Sequence, residues 1–411
     1  MIDVDTHVTP SYEVLMGYAD EALRARSDEL APFVRRTTPT PGRGHPTTEY
    51  GQLRINPRTY PRVAGQKEAE AEAGKGAGAR GTLEGRVDNL ASSPVHVGVQ
   101  HENSAGRLLD MDVEGVDIDV IVPGTWACGS TALDPSLTKG LYESYHRYMT
   151  EYCSADSRRL KGLVLAAGGD PLYAARTVER LAGEDWVAAV WPVLPEGLPI
   201  DDPDLEPLWS VMNEAGLPII HHSFFYEPPY FPGYRDIWGN MAVARTAAHM
   251  WGAQRVLAYV LISGMLDRYP NLRVGTIETG HGWLPHWLIR LSSQIAYVKG
   301  TVPAGLQHTP LEYARMGKVF CAIEEHEGPM MTRACNDLIG DGVLMYSSDY
   351  PHPESQFPDH TDKVLAWEPV LGKDAMVKLM GGNAASYLRL ASTPWDDDRS
   401  ASTLGSPAAA R

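Results

Sequence analysis

Positive charge is scarce in this chain of 411 residues. Its 36 Lys and Arg are outnumbered by 52 Asp and Glu, and the formal net charge is −16. Nucleic acids and anionic membrane surfaces are bound through basic faces, so this balance argues against both as partners. Long apolar runs are lacking too. The longest, residues 256–266, falls short of the roughly 20 residues that a membrane-spanning helix needs.

Targeting and disulfide signals are lacking as well. The N-terminal residues show no basic stretch followed by an apolar core, so we expect no secretory signal and a cytoplasmic protein. The cysteines are scattered with no C-x-x-C pair, which fits a reducing compartment and argues against a thiolate-rich zinc site. They are Cys128, Cys153, Cys321 and Cys335.

Motifs of three common enzyme classes do not occur where they would be needed. There is no G-x-S-x-G nucleophile elbow and no G-x-x-x-x-G-K-[ST] phosphate loop, and no G-x-G-x-x-G directly follows the first apolar run. A cysteine nucleophile is disfavoured because Cys321 lies inside an apolar run. These absences leave metal-centred chemistry as the leading hypothesis.

Eight short apolar runs are present, and mostly amphipathic segments separate them. Strand-like runs that alternate with helical segments indicate parallel βα units. Eight such units in one domain predict a (β/α)8 TIM barrel, with a doubly wound open sheet as the alternative. The runs are residues 2–5, 116–123, 160–167, 186–193, 217–222, 272–278, 318–324 and 342–349.

Two stretches do not fit the repeating pattern. Residues from about 36 to 100 are rich in Arg, Gly, Pro, Ala and Glu, which predicts a long, partly irregular insertion after the first strand. Residues 393–411 have the composition of a disordered tail. We therefore expect a single domain over residues 1–392.

Ligand-type side chains stand at the ends of several runs. The carboxyl ends of barrel strands meet at one face, and carboxylates are rarely buried unless they are paired or bound to metal. Any one of these residues alone could cap a helix or fill the core, but together they predict a metal site. The candidates are Asp5, His7, His221 or His222, Glu278, Glu324 and Asp349. Side-chain alternation puts Asp5 and His7 on one face and favours His222 over His221.

Four segments together resemble the amidohydrolase superfamily, in the branch that includes metal-dependent decarboxylases. They are DVDTH at residues 3–7, the His after LPII, ETGHGWLPHWLIRL from residue 278 and SSDYPHPE from residue 347. The resemblance implies a barrel in which the first strand supplies an HxH-like pair. It further implies one His each from the fifth and sixth strands and an Asp from the eighth.

The chain departs from that pattern at two ligand positions. Asp5 replaces the first His of the pair, and Glu278 stands where the sixth-strand His is expected. The fourth run also lacks the Lys that bridges two metals in binuclear hydrolases. Carboxylate-rich mixed N and O ligand sets suit iron or manganese better than a simple zinc hydrolase site.

Our preferred hypothesis is therefore an oxygenase. The chain resembles the TIM-barrel nonheme diiron monooxygenases of the platensimycin and platencin type. That resemblance implies two irons per chain, dioxygen, an external electron donor and a large apolar substrate, CoA-linked or terpenoid. The implied iron ligands are Asp5, His7, His222, Glu278, Asp349, Glu324 and His352.

The alternative hypothesis is a decarboxylase or hydrolase with one Zn or Mn ion. Asp349 would then be a ligand or general base, and His281 would move a proton; Glu278 completes the predicted catalytic residues. A catalytically silent binding protein is a third, weaker reading. Barrels of this kind are often dimers, so a homodimer is a further expectation.

An aromatic segment follows His222 directly. Its position after a strand end predicts a lining for the substrate, although these rings could equally pack the loop against the barrel. The predicted substrate contacts are Phe224, Phe225, Tyr226, Tyr230, Trp238 and, from the insertion, His101.

Overall fold

A computed structural model describes most of the chain. The described residues are 1–37, 50–53, 55, 103–195, 197–222, 246–247, 249–298, 300, 302–303, 305–352 and 355–390.

Eight parallel strands form one sheet in the order β1-β4-β5-β6-β7-β8-β9-β10, and β2 and β3 form a separate antiparallel pair. The predicted (β/α)8 TIM barrel is thus confirmed. The strands are β1 (Ile2–Val8), β2 (Val34–Thr37), β3 (Tyr50–Leu53), β4 (Ile118–Pro123), β5 (Leu160–Ala167), β6 (Val187–Val193), β7 (Ile219–His222), β8 (Val274–Ile277), β9 (Val319–Ala322) and β10 (Leu344–Met345).

Helices connect the strands and cover the outside of the barrel. They are α1 (Tyr12–Gly17), α2 (Glu21–Arg24), α3 (Ser27–Leu30), α4 (Ser104–Glu114), α5 (Trp126–Gly129), α6 (Pro135–Cys153), α7 (Pro171–Leu181), α8 (Glu206–Ala215), α9 (His249–Ile262), α10 (Met265–Arg268), α11 (Leu284–Tyr297), α12 (Pro310–Arg315), α13 (Gly328–Ile339), α14 (His360–Leu365), α15 (Glu368–Leu371), α16 (Lys373–Val377) and α17 (Asn383–Leu388).

Local sequence signals explain where several helices begin and end. Asp134 and Asp170 cap the starts of α6 and α7, and each is followed by a proline at the first helical position. Thr309 forms a reciprocal capping box with Glu312 at the start of α12. Gly216 ends α8 in the left-handed conformation with φ 67°, which glycine adopts without steric penalty.

The barrel closes between β1 and the segment that follows β10. The Val4 amide donates to the Tyr346 carbonyl at 3.2 Å, the Asp349 amide to the Asp5 carbonyl at 2.9 Å, and the His7 amide to the Tyr350 carbonyl at 2.6 Å. We call this the closure seam, residues 4–7 and 346–350. It aligns the end of β1 with the loop after β10.

The two irregular stretches lie largely outside the described residues. The β2–β3 pair belongs to the start of the predicted insertion, but residues 56–100 and the predicted tail are not among those described. The single domain over residues 1–392 therefore stays a prediction. Within the described part of the chain, no helix has the length and apolar character needed to cross a membrane.

Candidate metal centre

Five of the predicted ligand residues meet at the carboxyl end of the barrel. Asp5 and His7 extend from β1, His222 ends β7, Glu278 follows β8, and Asp349 follows β10. All five are buried, with at most 5 % of their surface exposed. The closure seam and the sheet together bring these residues, far apart in sequence, into one cluster.

The donor atoms of neighbouring side chains in the cluster lie 3.0–3.3 Å apart. His7 Nε2 is 3.3 Å from Asp5 Oδ1, 3.1 Å from Asp349 Oδ1 and 3.3 Å from His222 Nε2. His222 Nε2 is in turn 3.0 Å from Glu278 Oε2. Atoms about 3 Å apart have the separation of neighbouring ligands around one small divalent ion.

Two overlapping groups have all their donor atoms within 4.8 Å of one another. The first is Asp5, His7 and His222, and the second is His7, Asp349 and His352. His222 rather than His221 therefore contributes to a group, as strand alternation predicted. His7 belongs to both groups and lies at the middle of the cluster.

The electrostatics of the cluster fit a cation. Burial raises the pKa of Asp5, and burial together with nearby Asp349 raises the pKa of Glu278. Burial acts to lower the pKa of His7, yet the adjacent carboxylates of Asp349 and Asp5 raise it to about 10. Asp5 Oδ1 is buried and accepts no hydrogen bond from the described residues. A divalent ion would supply the positive charge that these carboxylates need.

The remaining predicted ligands lie at the edge of the cluster. His352 Nδ1 is 2.5 Å from Asp349 Oδ1, its ring stacks on His7 at 4.3 Å, and its side chain is 40 % exposed. Glu324 belongs to neither ligand group. It lines a cavity of about 110 Å³ beside Asp5 and Asp349. Glu324 is therefore placed to face a bound molecule.

His281, which was predicted to be catalytic, lies outside the two donor groups. It is fully buried, and Nε2 lies 3.0 Å from Thr332 Oγ1. Nδ1 lies 2.9 Å from Glu327 Oε2 and accepts from the Glu324 amide at 3.2 Å. Both ring nitrogens are engaged, so His281 joins the loop after β8 to the loop after β9 and to α13.

Two residues that no sequence signal indicated contact the cluster. His249, at the start of α9, places Nδ1 3.1 Å from the Glu278 carbonyl oxygen and 3.5 Å from Glu278 Oε1. Arg107, in α4, donates to the carbonyl of His7. Neither lies at a strand end or in a motif, so only the three-dimensional structure reveals their contacts.

The predicted substrate contacts lie outside the described residues. They are Phe224, Phe225, Tyr226, Tyr230, Trp238 and His101.

Residues 131–390, more than half of the chain, match the family model described as Amidohydrolase. No curated protein sequence matches the chain significantly. Solved structures do match. One is 5-carboxyvanillate decarboxylase from Sphingomonas paucimobilis, which is 24 % identical with a TM-score of 0.59 over 69 % of this chain and 82 % of that chain.

Two further solved structures contain manganese. In 5-carboxyvanillate decarboxylase from Novosphingobium aromaticivorans, manganese is accompanied by 4-hydroxy-3-methoxy-5-nitrobenzoic acid; the identity is 17 % and the TM-score 0.63 over 95 % of this chain and 96 % of that chain. Dihydroxybenzoic acid decarboxylase from a Polaromonas species holds manganese and 2-nitroresorcinol, with 16 % identity and a TM-score of 0.59 over 95 % and 97 %. At these identities the likeness shows a common fold.

The comparisons correct the preferred functional hypothesis. The matching family is that of amidohydrolases, and the three similar structures described above are decarboxylases, two of them with manganese. The prediction of an oxidoreductase of the diiron monooxygenase type is therefore wrong. It relied on the exchange of two imidazoles for carboxylates, and a carboxylate-rich ligand set suits manganese as well as iron.

Proposed function

The chain belongs to the amidohydrolase family, and from that premise we propose that it is a decarboxylase of a small aromatic acid that uses one divalent metal ion, preferably manganese. The observation that carries the proposal is the cluster of Asp5, His7, His222 and Asp349 at the carboxyl end of the barrel, with donor atoms about 3 Å apart. Manganese in two decarboxylases of the same fold supports it.

Four side chains of the cluster are assigned to the metal in this proposal. Asp5, His7 and His222 form one group, and Asp349 is added through its 3.1 Å approach to His7. When bound, the ion would act as a Lewis acid that orients the substrate carboxylate and an adjacent oxygen. A single ion satisfies this donor set, and no comparison supports two irons.

Glu278 is assigned to proton transfer. Loss of CO2 from an aromatic ring leaves a carbon that must receive a proton, so the site needs a buried acid. Glu278 is 5 % exposed, and its Oε2 lies 3.0 Å from His222 Nε2. His249 contacts both the carbonyl and the carboxyl group of Glu278 and would hold the carboxyl group towards the substrate.

The proposal keeps a small-molecule substrate among the predicted partners and omits dioxygen, the electron donor and the CoA thioester. The cavity beside Asp5 and Asp349 is the proposed place of the substrate, and the aromatic segment after His222 stays a proposed lining. Dioxygen, an electron donor and a CoA thioester form no part of the proposal, because no comparison supports them. A cytoplasmic location, a homodimer and a single domain over residues 1–392 remain proposals.

Metal analysis combined with turnover tests this function. Protein purified without added metal, then supplied with Mn²⁺, is assayed for CO2 release from 5-carboxyvanillate, 2,6-dihydroxybenzoate and related hydroxybenzoates. We expect one metal per chain and CO2 release that a His222→Ala variant lacks. Absence of a bound divalent ion, or no CO2 from any aromatic acid tested, would contradict the proposal.

A hydrolase is the second candidate because the matching family model is described as Amidohydrolase. A hydrolase would use the same metal ligands, and Asp349 would act as the general base that accepts a proton from the attacking water. A panel of amides and lactones assayed with the Mn²⁺-loaded protein separates the two. Hydrolysis without CO2 release would favour this second function.

A further inference from the structure

Helix α4 lies against the closure seam, next to two of the proposed metal ligands. Its residues Arg107 and Asp110 are three positions apart, so they share one face of the helix. Both are buried, with 1 % and 4 % of their surface exposed. We call this pair the α4 clamp.

Arg107 bonds directly to the backbone of a proposed ligand. Its Nη2 donates to the carbonyl oxygen of His7. Its Nη1 donates to Asp119 Oδ2 on β4 at 2.9 Å, and its Nε donates to the Tyr152 hydroxyl at 3.1 Å. Because Asp119 balances the charge, the guanidinium is fixed between β4 and the end of β1.

The clamp also contacts the residue after Asp349. The Arg107 guanidinium lies 5.0 Å from the centroid of the Tyr350 ring, and the Tyr350 hydroxyl donates to Asp110 Oδ2 at 2.5 Å. The carbonyl of Tyr350 accepts from the His7 amide at 2.6 Å. Arg107 and Asp110 thus hold both sides of the seam.

We propose that Arg107 and Asp110 are positioning residues that set the separation between His7 and Asp349 and thereby the affinity of the centre for its metal. This inference rests on the proposed function, because it takes His7 and Asp349 as ligands. The physical reason is direct. His7 Nε2 and Asp349 Oδ1 lie 3.1 Å apart, and a small shift of either backbone changes the spacing of the two donors.

A residue on the same face provides a matched comparison. Glu114 follows Arg107 by seven positions, and its Oε1 accepts from the Thr361 amide at 2.6 Å. That contact ties α4 to α14 and does not include the seam residues. Loss of the Glu114 contact should lower stability without changing the metal affinity, which separates positioning from general support of the fold.

Titration of Mn²⁺ into metal-depleted full-length protein, followed by the electron paramagnetic resonance signal of free Mn²⁺, tests the proposal. We expect Arg107→Ala to weaken Mn²⁺ binding by about 10- to 100-fold, the usual effect of removing a partner of a ligand. Millimolar guanidinium should restore part of that loss by filling the vacated site. Tyr350→Phe should weaken binding by a smaller factor, and Glu114→Ala, which removes the acceptor of the Thr361 amide, should leave it unchanged.

Several outcomes would overturn the inference. One is that the Arg107→Ala and Tyr350→Phe proteins are folded by circular dichroism and bind Mn²⁺ as tightly as the original chain. That result would refute the positioning role and leave the proposed function standing. If Arg107→Ala does not fold because Asp119 is left buried without its partner, Tyr350→Phe decides alone. If the original chain binds no divalent ion, the proposed function fails and this inference with it.

Discussion

Two residues of the proposed centre hold an uncommon backbone conformation. Glu278 has φ 50° and Asp349 has φ 61°, in the left-handed region that non-glycine residues occupy at a cost of about 1–3 kcal/mol. The surrounding contacts hold them there, since the Asp349 amide bonds to the Asp5 carbonyl and His249 contacts the Glu278 carbonyl. At these two strand ends, the left-handed backbone thus accompanies carboxylates that point into the cluster.

The role of Glu278 can be tested by removing its proton and keeping its shape. A Glu278→Gln variant should lose activity by about 10²- to 10⁴-fold, the usual contribution of a general acid, and should keep its metal. Steady-state CO2 release and metal content measure the two effects. Loss of the metal along with activity would instead assign Glu278 to the ligand set.

His281 supplies the control for that experiment. Because its ring nitrogens contact Thr332, Glu327 and the Glu324 amide, His281→Gln should change stability more than turnover. A turnover loss as large as that of Glu278→Gln, at unchanged stability, would restore His281 as a catalytic residue.

The candidate ligands could be predicted from the sequence because they share one position, at or near the end of a strand. Asp5, His7, His222, Glu278 and Asp349 lie at or near strand ends, and parallel strands in a barrel present those ends at one face. The side chain of His281 could not be placed in this way. It comes three residues after Glu278, beyond the strand, where loop geometry and not periodicity determines its direction.

At the scale of single elements, a buried histidine joins a helix to a strand. His146 in α6 accepts a hydrogen bond from the Leu165 amide of β5 at 3.0 Å, and burial lowers its pKa to about 3. Its ordinary pKa is 6.5, so the unfolded chain binds a proton below that pH while the folded protein does not. Folding stability must therefore fall as the pH drops from about 6.5 towards 3.

Replacement of His146 should reduce this acid sensitivity. We expect the original chain to lose up to about 1.4 kcal/mol of unfolding free energy per pH unit from His146 alone. A His146→Gln variant should show a shallower decline in urea unfolding between pH 6.5 and 4. His326→Gln, at a side chain that is 71 % exposed, is the control and should follow the original chain. Parallel curves for all three proteins would refute the prediction.

A glycine in β8 allows a close contact at the base of the barrel. A Cβ atom at Gly275 would lie 2.6 Å from the ring of Tyr387, whose hydroxyl donates to the Ile219 carbonyl at 2.6 Å. Gly275→Ala should therefore destabilise the protein by about 1–3 kcal/mol, the usual effect of overpacking. Thermal unfolding measures it. Gly342→Ala, where a Cβ meets nothing within 4 Å, should be nearly neutral; equal losses would contradict this explanation.

The apolar runs of the sequence predicted which segments form strands, but they did not predict how long each strand is. Each of the eight apolar runs overlaps a strand of the barrel, because buried parallel strands are apolar segments. The last run covers residues 342–349, yet β10 spans only Leu344–Met345. The residues that follow leave the regular ladder, and Asp349 has a left-handed backbone with its carboxylate 3.1 Å from His7. The apolar pattern does not mark the end of this strand.

For the whole molecule, the proposed metal is a source of stability. An ion that binds only the folded state stabilises it by about 2.7 kcal/mol when present at 100 times its dissociation constant. We expect addition of Mn²⁺ to metal-depleted protein to raise the melting temperature and a chelator to reverse this. His222→Ala should show no such shift. Identical melting temperatures with and without Mn²⁺ would argue against a specific site.

The closure seam has a consequence for how the protein is made. The Ser348 amide donates to Asp3 Oδ1 across 345 sequence positions, within the same region that joins β1 to the loop after β10. At ribosomal rates, the last of these partners is synthesised on the order of tens of seconds after the first. Throughout that interval the acidic first strand can pair with β4 but lacks its second neighbour, the segment that follows β10. The proposed centre can thus be completed only after synthesis has passed Asp349, when every strand of the barrel has been made.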